Sequence, residues 1–415
     1  MSIRLRFAAV ILSLLLVIGL VAGCGGGSTT ESADKGDQEK STPKQEEPAK
    51  EENTEPIKLG GIFDITGGTG DVGAPYAEGA TAYVKWLNEN GGVNGRQIDL
   101  EGIDYAYKIP QAVEAYKKLV YQQKAPAILG WGTGDTEAMV PFISKDKIPY
   151  ISGSLSETLL TVADHPYNFM VAASYSDQAR VILKYIKDNA QEEQPKVALI
   201  YNDTGFGKSP IADAEAFAKE IGVEIVDKEV VDLKALDATS QLLNMDKAGA
   251  NYAIIQETSN ATATILKDAK KLGLDTKFFG LNWTADEISL KLMGDAAEGY
   301  IGVIPFAFPY EDVAGMKDVE EGFALTGKSL DELNQKHIQG WFSAMVMMEG
   351  MKRAGDDVTG ENIKKGLESM NEFSSGDLAA PVSFSADSHR GSSKVKLYQV
   401  TDGQWTPITD WIGYK

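Results

Sequence analysis

The sequence predicts an α/β protein with two lobes, each built on a parallel sheet, that face each other across a cleft. Apolar stretches of strand length alternate with amphipathic stretches of roughly 10–15 residues, which indicates parallel strands joined by right-handed helical crossovers. The alternation runs in two series, one from residue 57 and one from about residue 177. The chain of 415 residues is long enough for two or three domains.

The first series contains four predicted strands. Glycines after Asn90 should end its first helix, which places Ala80, Val84 and Leu87 on one face and is expected to begin at Pro75. In chain order the segments are the strand IKLGGIFDI, the helix PYAEGATAYVKWLNENG, the strand RQIDLEGIDY, the helix IPQAVEAYKKLVYQQ, the strand APAILGWGT, a short helix and the strand PYISGS.

The second series repeats the alternation and ends in a region of different character. Its segments are the helix DQARVILKYIKDN, the strand KVALIYND, the helix SPIADAEAFAKEIG, the strand VEIVDKEVV, the helix ATSQLLNMDKAG, the strand ANYAIIQET, the helix ATATILKDAKKLG and the strand KFFGLN. After residue 300 come GYIGVIPFAF, the long helix DELNQKHIQGWFSAMVMMEGMKRAG and a β-rich end, PVSFSADSHRGSSKVKLYQVTDGQWTPITDW.

Composition excludes several classes of function. A net charge of −20 argues against a nucleic-acid partner, because phosphate backbones require a basic face. Cys24 is the single cysteine, so neither an intramolecular disulfide nor a Cys-based zinc site can form. The three histidines are not spaced as a metal pair on a helix. We therefore expect no metal and no cofactor.

The N-terminal region resembles a lipoprotein export signal. Arg4 and Arg6 precede about 17 apolar residues that end in LVAGC, which predicts a signal peptide at 1–23, cleavage before Cys24 and lipidation of its thiol. An uncleaved signal anchor is the alternative. Residues 24–56 follow as an acidic segment without large apolar side chains, which predicts a disordered tether.

Two glycine motifs suggest nucleotides but do not satisfy the chemistry. Gly68, Gly70 and Gly73 have the spacing of a dinucleotide loop, yet the next acid at a strand end, Asp104, lies too far along the chain to bind the ribose. The P-loop-like segment NDTGFGKS has Asn202 where the first glycine belongs. Strand ends instead carry Gly, Ser, Thr, Asn and aromatic residues without a catalytic pair, so we expect a binding protein and no enzyme.

From Ile57 to about Tyr398 the chain resembles the substrate-binding proteins of ABC transporters of the branched-chain amino acid type, the Leu/Ile/Val-binding, periplasmic binding protein type I family. The stretches that carry the resemblance are IKLGGIFDITG, EGATAYVKWLNENGGVNGRQIDL, IPQAVEAYKKLV, PYISGSLSETLLT, YNDTGFGKS and LKDAKKLGLDTKFFG. It implies two Rossmann-like lobes, residues 57–173 plus 307–385 and residues 174–306 plus 386–415. Three crossover segments near 172–176, 305–308 and 385–391 would join them.

The resemblance implies an exported solute-binding protein of an ABC importer, working with a permease and its ATPase. A lipid anchor would hold it on the outer face of the cytoplasmic membrane or on the periplasmic side of an envelope membrane, and it should act as a monomer. The expected ligand is an apolar, branched-chain type of amino acid. An amine-free aromatic carboxylate, an amide, or a sensory role of the same fold are the alternatives.

The resemblance also assigns residues to the cleft. On the first lobe, backbone amides and hydroxyls of Thr133, Gly134, Ser154 and Ser156 would hold the ligand carboxylate, while Phe206 would close over it from the second lobe. Asn282 stands where amino acid binders carry the acid for the α-ammonium, and the nearby Glu257 is the expected substitute. The remaining expected cleft residues are Thr66 on the glycine loop, Trp131 and Trp283.

Overall fold

The computed structural model describes residues 54–415. The predicted signal peptide (1–23), the predicted lipidation site Cys24 and all but the last three residues of the predicted tether (24–56) lie outside the described residues. Within the described part of the chain, no helix is both long and apolar enough to cross a membrane.

The first sheet has five parallel strands in the order β2-β1-β3-β4-β5. In the first strand every residue except Lys58 is buried, as expected for a strand with helices on both faces. The two-residue β5 was not predicted, because it is too short to show a pattern. The strands are β1 (Ile57–Phe63), β2 (Ile98–Asp104), β3 (Ile128–Gly130), β4 (Tyr150–Ser152) and β5 (Asn168–Phe169).

Three helices connect these strands: α1 (Gly70–Glu89), α2 (Ile109–Lys117) and α3 (Thr133–Asp146). Helix α1 begins at Gly70, so the prediction that Pro75 starts it is wrong. Pro75 is the sixth residue of this helix, beyond its first four amides, so the proline removes one intrahelical hydrogen bond, the one to the carbonyl of Asp71. The motif residues Gly70 and Gly73 therefore lie in the helix, and the loop between β1 and α1 is shorter than predicted.

The second sheet has seven strands in the order β12-β11-β10-β9-β8-β6-β7. All neighbours are parallel except the two pairs that involve β11, which are antiparallel. Of the predicted β-rich end, only two strands form. The strands are β6 (Lys196–Tyr201), β7 (Glu224–Val230), β8 (Tyr252–Gln256), β9 (Lys277–Gly280), β10 (Ile301–Ile304), β11 (Lys396–Thr401) and β12 (Gln404–Pro407).

Nine further α-helices follow in the part of the chain that the structure describes. They are α4 (Tyr175–Asn189), α5 (Gly205–Lys208), α6 (Ile211–Ile221), α7 (Thr239–Lys247), α8 (Ser259–Leu272), α9 (Glu287–Met293), α10 (Met316–Ala324), α11 (Gln335–Arg353) and α12 (Gly360–Glu368). Helix α11 packs closely along α1: a Cβ on Gly79 would lie 2.0 Å from the carbonyl oxygen of His337, and one on Gly340 would lie 1.9 Å from that of Tyr76. Only glycine allows this approach.

The chain passes between the sheets three times. It leaves the first sheet after β5, returns after β10 to helices that pack on α1, β3 and β4, and enters the second sheet again at β11. We call the first sheet with its helices the first lobe and the second sheet with its helices the second lobe. The residue limits given above for the lobes stay a prediction.

Candidate ligand-binding cleft

A pocket with about 260 Å³ of empty space, which includes space open to solvent, lies where the carboxyl ends of strands from both lobes face each other. This is the position at which open α/β sheets bind ligands. The lining residues follow β1, β2, β3 and β4 in the first lobe and β6, β8 and β9 in the second, with one contribution from the start of α4. They are Thr69, Val72, Tyr107, Trp131, Gly132, Thr133, Gly153, Tyr175, Phe206, Thr258 and Trp283.

Aromatic rings from both lobes form most of the cavity wall. The ring of Trp131 lies 4.9 Å from that of Trp283 across the lobes, edge to face, and Tyr175 meets Phe206 at 5.4 Å in the same manner. All four side chains are buried. Edge-to-face pairs of this kind favour a fixed arrangement, so the wall presents a rigid apolar surface to a ligand body.

A chain of hydrogen bonds fixes the orientation of Trp131. Its Nε1 donates to the hydroxyl of Thr69 (2.8 Å), which donates to the buried carboxylate of Asp64 (2.7 Å). The same carboxylate accepts the backbone amides of Gly67 (2.6 Å) and Thr69 (2.7 Å). A Cβ at Gly67 would lie 2.3 Å from Asp64 Oδ1, and one at Gly73 would lie 2.0 Å from its carbonyl oxygen. Gly67 and Gly73 thus allow the loop to fold closely around Asp64.

The start of helix α3 lines one side of the cavity. Thr133 is its first residue, and amides in the first turn of a helix lack intrahelical acceptors and carry partial positive charge. The hydroxyls of Thr133 and Ser154 lie 2.6 Å apart, and Asp135 accepts from the backbone of Gly132 and from Tyr105. Burial raises the pKa of Asp135 to about 6. This side offers donors without a fixed positive charge.

The second lobe contributes buried acceptors instead. Among the described residues, Gln256 Oε1, Glu257 Oε1 and Asn282 Oδ1 are buried and have no hydrogen-bond partner. These three side chains belong to the residues just before the lining residues Thr258 and Trp283. The other oxygen of Glu257 accepts from Asn202 Nδ2 (3.0 Å), and burial raises the pKa of Glu257 well above its ordinary value. Buried acceptors without donors are uncommon, and they favour a donor-rich ligand group at this side.

The structure brings most of the predicted cleft residues together. Four of them line the cavity, namely Trp131, Thr133, Phe206 and Trp283. Four more are the sequence neighbours of lining residues, namely Gly134, Ser154, Glu257 and Asn282.

The other two predicted residues lie outside the lining. The hydroxyl of Thr66 donates to Asp104 (2.6 Å) in an exposed position, so this residue ties the glycine loop to the end of β2. The hydroxyl of Ser156 lies 2.7 Å from that of Ser209 in the second lobe and 2.9 Å from that of Thr158. A ligand-binding role stays a prediction for all ten residues.

Sequence reasoning missed seven lining residues: Thr69, Val72, Tyr107, Gly132, Gly153, Tyr175 and Thr258. Tyr107 follows β2 in the way that the predicted residues follow their strands, so the same rule could have found it. Tyr175 starts α4, a position that the sequence indicates only as part of a crossover. No local pattern shows that this ring turns toward the cleft, where it accepts a hydrogen bond from Trp283 Nε1 (2.8 Å).

Comparison with known proteins identifies the family. The family model described as "Periplasmic binding protein" matches residues 56–404, which is most of the chain. The chain belongs to the periplasmic binding protein family. Membership implies a location outside the cytoplasm, and the relatives reported next are binding proteins rather than enzymes.

Relatives agree with this fold and extend over most of this periplasmic binding protein. A leucine-, isoleucine-, valine-, threonine- and alanine-binding protein of Pseudomonas aeruginosa is 21% identical over 300 residues, covering 72% of this chain and 79% of the relative. The structure of a branched chain amino acid ABC transporter from Thermus thermophilus with bound valine has a TM-score of 0.81 and 29% identity, covering 86% of this chain and 96% of the other. A fatty acid ABC transporter substrate-binding protein from Thermomonospora curvata has a TM-score of 0.77, 20% identity and coverages of 86% and 92%, a likeness of fold.

Proposed function

We propose that this periplasmic binding protein is the solute receptor of an ABC importer and binds an apolar, branched-chain type of amino acid in the cavity. The observation that supports the proposal most is that the two sides of the cavity present different polar groups. Helix α3 begins on one side, and three buried acceptors without donors lie beside the other, with aromatic rings between them. An α-amino acid with an apolar side chain matches this order: its carboxylate, its ammonium and its side chain each meet a suitable surface.

The alternative ligand is an amine-free carboxylate with an apolar or aromatic body. Asn282, an amide where amino acid binders carry an acid, and the aromatic lining favour it. Against it stands Glu257, since a carboxylate ligand would add negative charge near a buried acid and leave Glu257 Oε1 without a donor. The two readings differ by one chemical group, the amine.

A matched pair of compounds tests this difference. L-leucine and 4-methylpentanoate differ only in the amine, and a ligand that binds the folded state raises its melting temperature. We expect L-leucine, L-isoleucine or L-valine to shift the melting of the purified protein while the amine-free counterparts do not. A shift by 4-methylpentanoate or benzoate without a shift by any amino acid would establish the alternative.

Transport and sensing need a cellular experiment. Deletion of the gene should abolish high-affinity uptake of radiolabelled L-leucine, and expression of the protein should restore it. Normal uptake in the deletion strain would favour a sensory receptor of the same fold.

We also propose export, lipidation at Cys24 and a monomeric state. Palmitate labelling that disappears in Cys24→Ala would support the lipid anchor, and light scattering would measure the mass of the purified protein. Cys24→Ala that still carries label would contradict the anchor.

A further inference from the structure

The start of helix α11 contains a fully buried lysine that the proposed binding site does not account for. Lys336 Nζ donates to the backbone carbonyl oxygens of Asn282 and Ala285 (3.0 Å to the latter) and to Gln335 Oε1 (2.9 Å). An ammonium group has three N–H donors. All three are therefore used, and two of them hold main-chain atoms at the ends of a four-residue segment.

The contact crosses from one lobe to the other. Helix α11 packs on α1, β3 and β4 of the first lobe, whereas Asn282 and Ala285 follow β9 of the second lobe. Between the two carbonyls lies Trp283, whose ring centroid is 5.4 Å from Lys336 Nζ and whose other contacts form part of the cavity wall. A cation at this distance from an indole attracts the ring. One side chain thus fixes both ends of the segment and the ring it carries.

We propose that Lys336 is a positioning residue for ligand binding: its amino group holds the segment 282–285 in place and sets Trp283 against the cavity. The affinity part of this proposal rests on the proposed function, whereas the clamp on the segment does not. Lys336 touches no lining residue other than Trp283 in the contacts described above, so it acts on the ligand through that ring.

Three carboxylates act on the buried ammonium, two from the start of one helix and one from another. Asp286 and Glu287 lie at the start of α9, and Asp71 lies in the first turn of α1. On α11 itself, His337 bonds to Asn334 and Glu78. Burial lowers the pKa of Lys336 to about 8, against the opposing effect of the three acids. Burial also raises the pKa of Glu287 to about 8.

The sign of the pH dependence follows from closure. If closing the lobes buries Lys336, the closed state holds its proton less tightly than the open state. Binding should then release a proton between about pH 8 and pH 10.5, the ordinary lysine pKa, and affinity should rise with pH in that window. Glu287 acts with the opposite sign at lower pH, because burial on closure would favour proton uptake between about pH 4.5 and 8. The two windows do not overlap.

The test compares Lys336→Met with Lys352→Met, a matched change at an exposed position of the same helix. Hydrogen–deuterium exchange of segment 281–287 in the ligand-free protein needs no ligand. We expect faster exchange in Lys336→Met, because two carbonyls lose their donor, and no change in Lys352→Met. Unchanged exchange in Lys336→Met would overturn the clamp.

Calorimetry with L-leucine in two buffers of different ionisation enthalpy tests the link to binding. At pH 9 the wild type and Lys352→Met should release a proton on binding and Lys336→Met should not, with affinity in Lys336→Met at least about tenfold weaker since two buried carbonyls lose their N–H donor. Equal proton release in both variants, or equal affinity, would overturn the positioning role.

Two further outcomes distinguish a failure of the proposed function from a failure of the proposed role of Lys336. If L-leucine does not bind the wild type, the proposed function fails while the exchange experiment still decides on the clamp. If Lys336→Met does not fold, Lys336→Arg replaces it, since arginine stays charged at pH 9. That variant should bind without releasing a proton, and release equal to the wild type would contradict the proposal.

Discussion

The two walls of the cavity differ in how completely their polar groups are satisfied. On the first lobe, Trp131, Thr69 and Asp64 form a closed chain of hydrogen bonds, and Thr133 pairs with Ser154. On the second lobe, buried oxygens of Gln256, Glu257 and Asn282 have no donor among the described residues. The lining residues Thr69, Trp131 and Thr133 are thus bonded within the protein, whereas the three oxygens beside the second wall have no donor from its described part. Behind the first wall, Asp71 Oδ1 and the hydroxyl of Tyr76 are also buried without a partner among the described residues. A ligand that supplies donors would stabilise the closed arrangement of the lobes.

The largest effect on this difference between the walls is expected when the carboxylate of Glu257 is replaced by an amide. In Glu257→Gln the ammonium of an amino acid would lose its charged partner, and removing one partner of a buried ion pair costs roughly 3–5 kcal/mol. We expect the affinity for L-leucine, measured by calorimetry, to fall at least about 100-fold.

The control is Glu224→Gln, the same change at an exposed position on β7. Affinity there should stay within about twofold, as exposed charges contribute little. Retained L-leucine binding in Glu257→Gln would assign the ammonium to another group, and retained binding of 4-methylpentanoate would favour the amine-free ligand.

The hydrogen bonds of the first wall can be broken by Thr69→Val. This change keeps the shape of the side chain but leaves Trp131 Nε1 without an acceptor and removes one donor from Asp64. A buried polar group left without a partner costs about 1–3 kcal/mol, so the free energy of unfolding in urea should fall by that amount. Thr81→Val is the control on the same helix, at an exposed site, and it should change little. Equal losses of unfolding free energy in both variants would show that the hydrogen bonds from Trp131 through Thr69 to Asp64 add no stability.

A smaller effect should appear in the pH dependence of stability, because it acts through partial ionisation of one group. The raised pKa of Glu257 means that the folded, ligand-free protein binds its proton where the unfolded chain has released it. Stability should then fall as pH rises above about 4.5 through the raised value. Urea unfolding between pH 5 and pH 8 would show this slope, and Glu257→Gln should have less of it. Identical slopes would mean that Glu257 is ionised in the folded state.

The fold could be predicted because parallel strands buried on both faces leave long apolar runs, and the helices between them show a clear period. The same rule gave the lining residues at strand ends, such as Trp131, Phe206 and Trp283, since carboxyl ends of parallel strands meet at one edge. Short elements escaped prediction for the opposite reason. The strand at Asn168–Phe169 contains too few residues to show a period.

Residues whose role depends on a partner far along the chain could not be predicted. Lys336 lies in a helix whose sequence gives no reason to bury an ammonium, and its two main-chain acceptors are more than fifty positions away. Tyr175 and Thr69 are similar, because their partners Trp283 and Trp131 come from distant strands. A sequence shows which edge of a sheet carries a site, but side chains that span the gap between lobes require the tertiary arrangement.

The smallest effect is expected at the junction between the walls, where Ser156 meets Ser209. The resemblance predicts that Ser156 binds the ligand carboxylate, whereas its hydroxyl lies 2.7 Å from that of Ser209 in the other lobe. If the contact between lobes is its main role, Ser156→Ala and Ser209→Ala should each weaken L-leucine binding by about 0.5–1.5 kcal/mol, the usual net contribution of one hydrogen bond. The double variant should then be no weaker than either single one, since both remove the same bond. A larger loss of affinity in Ser156→Ala than in Ser209→Ala would instead indicate that Ser156 contacts the ligand directly. The first wall would then also lack one hydrogen-bond partner until the ligand binds.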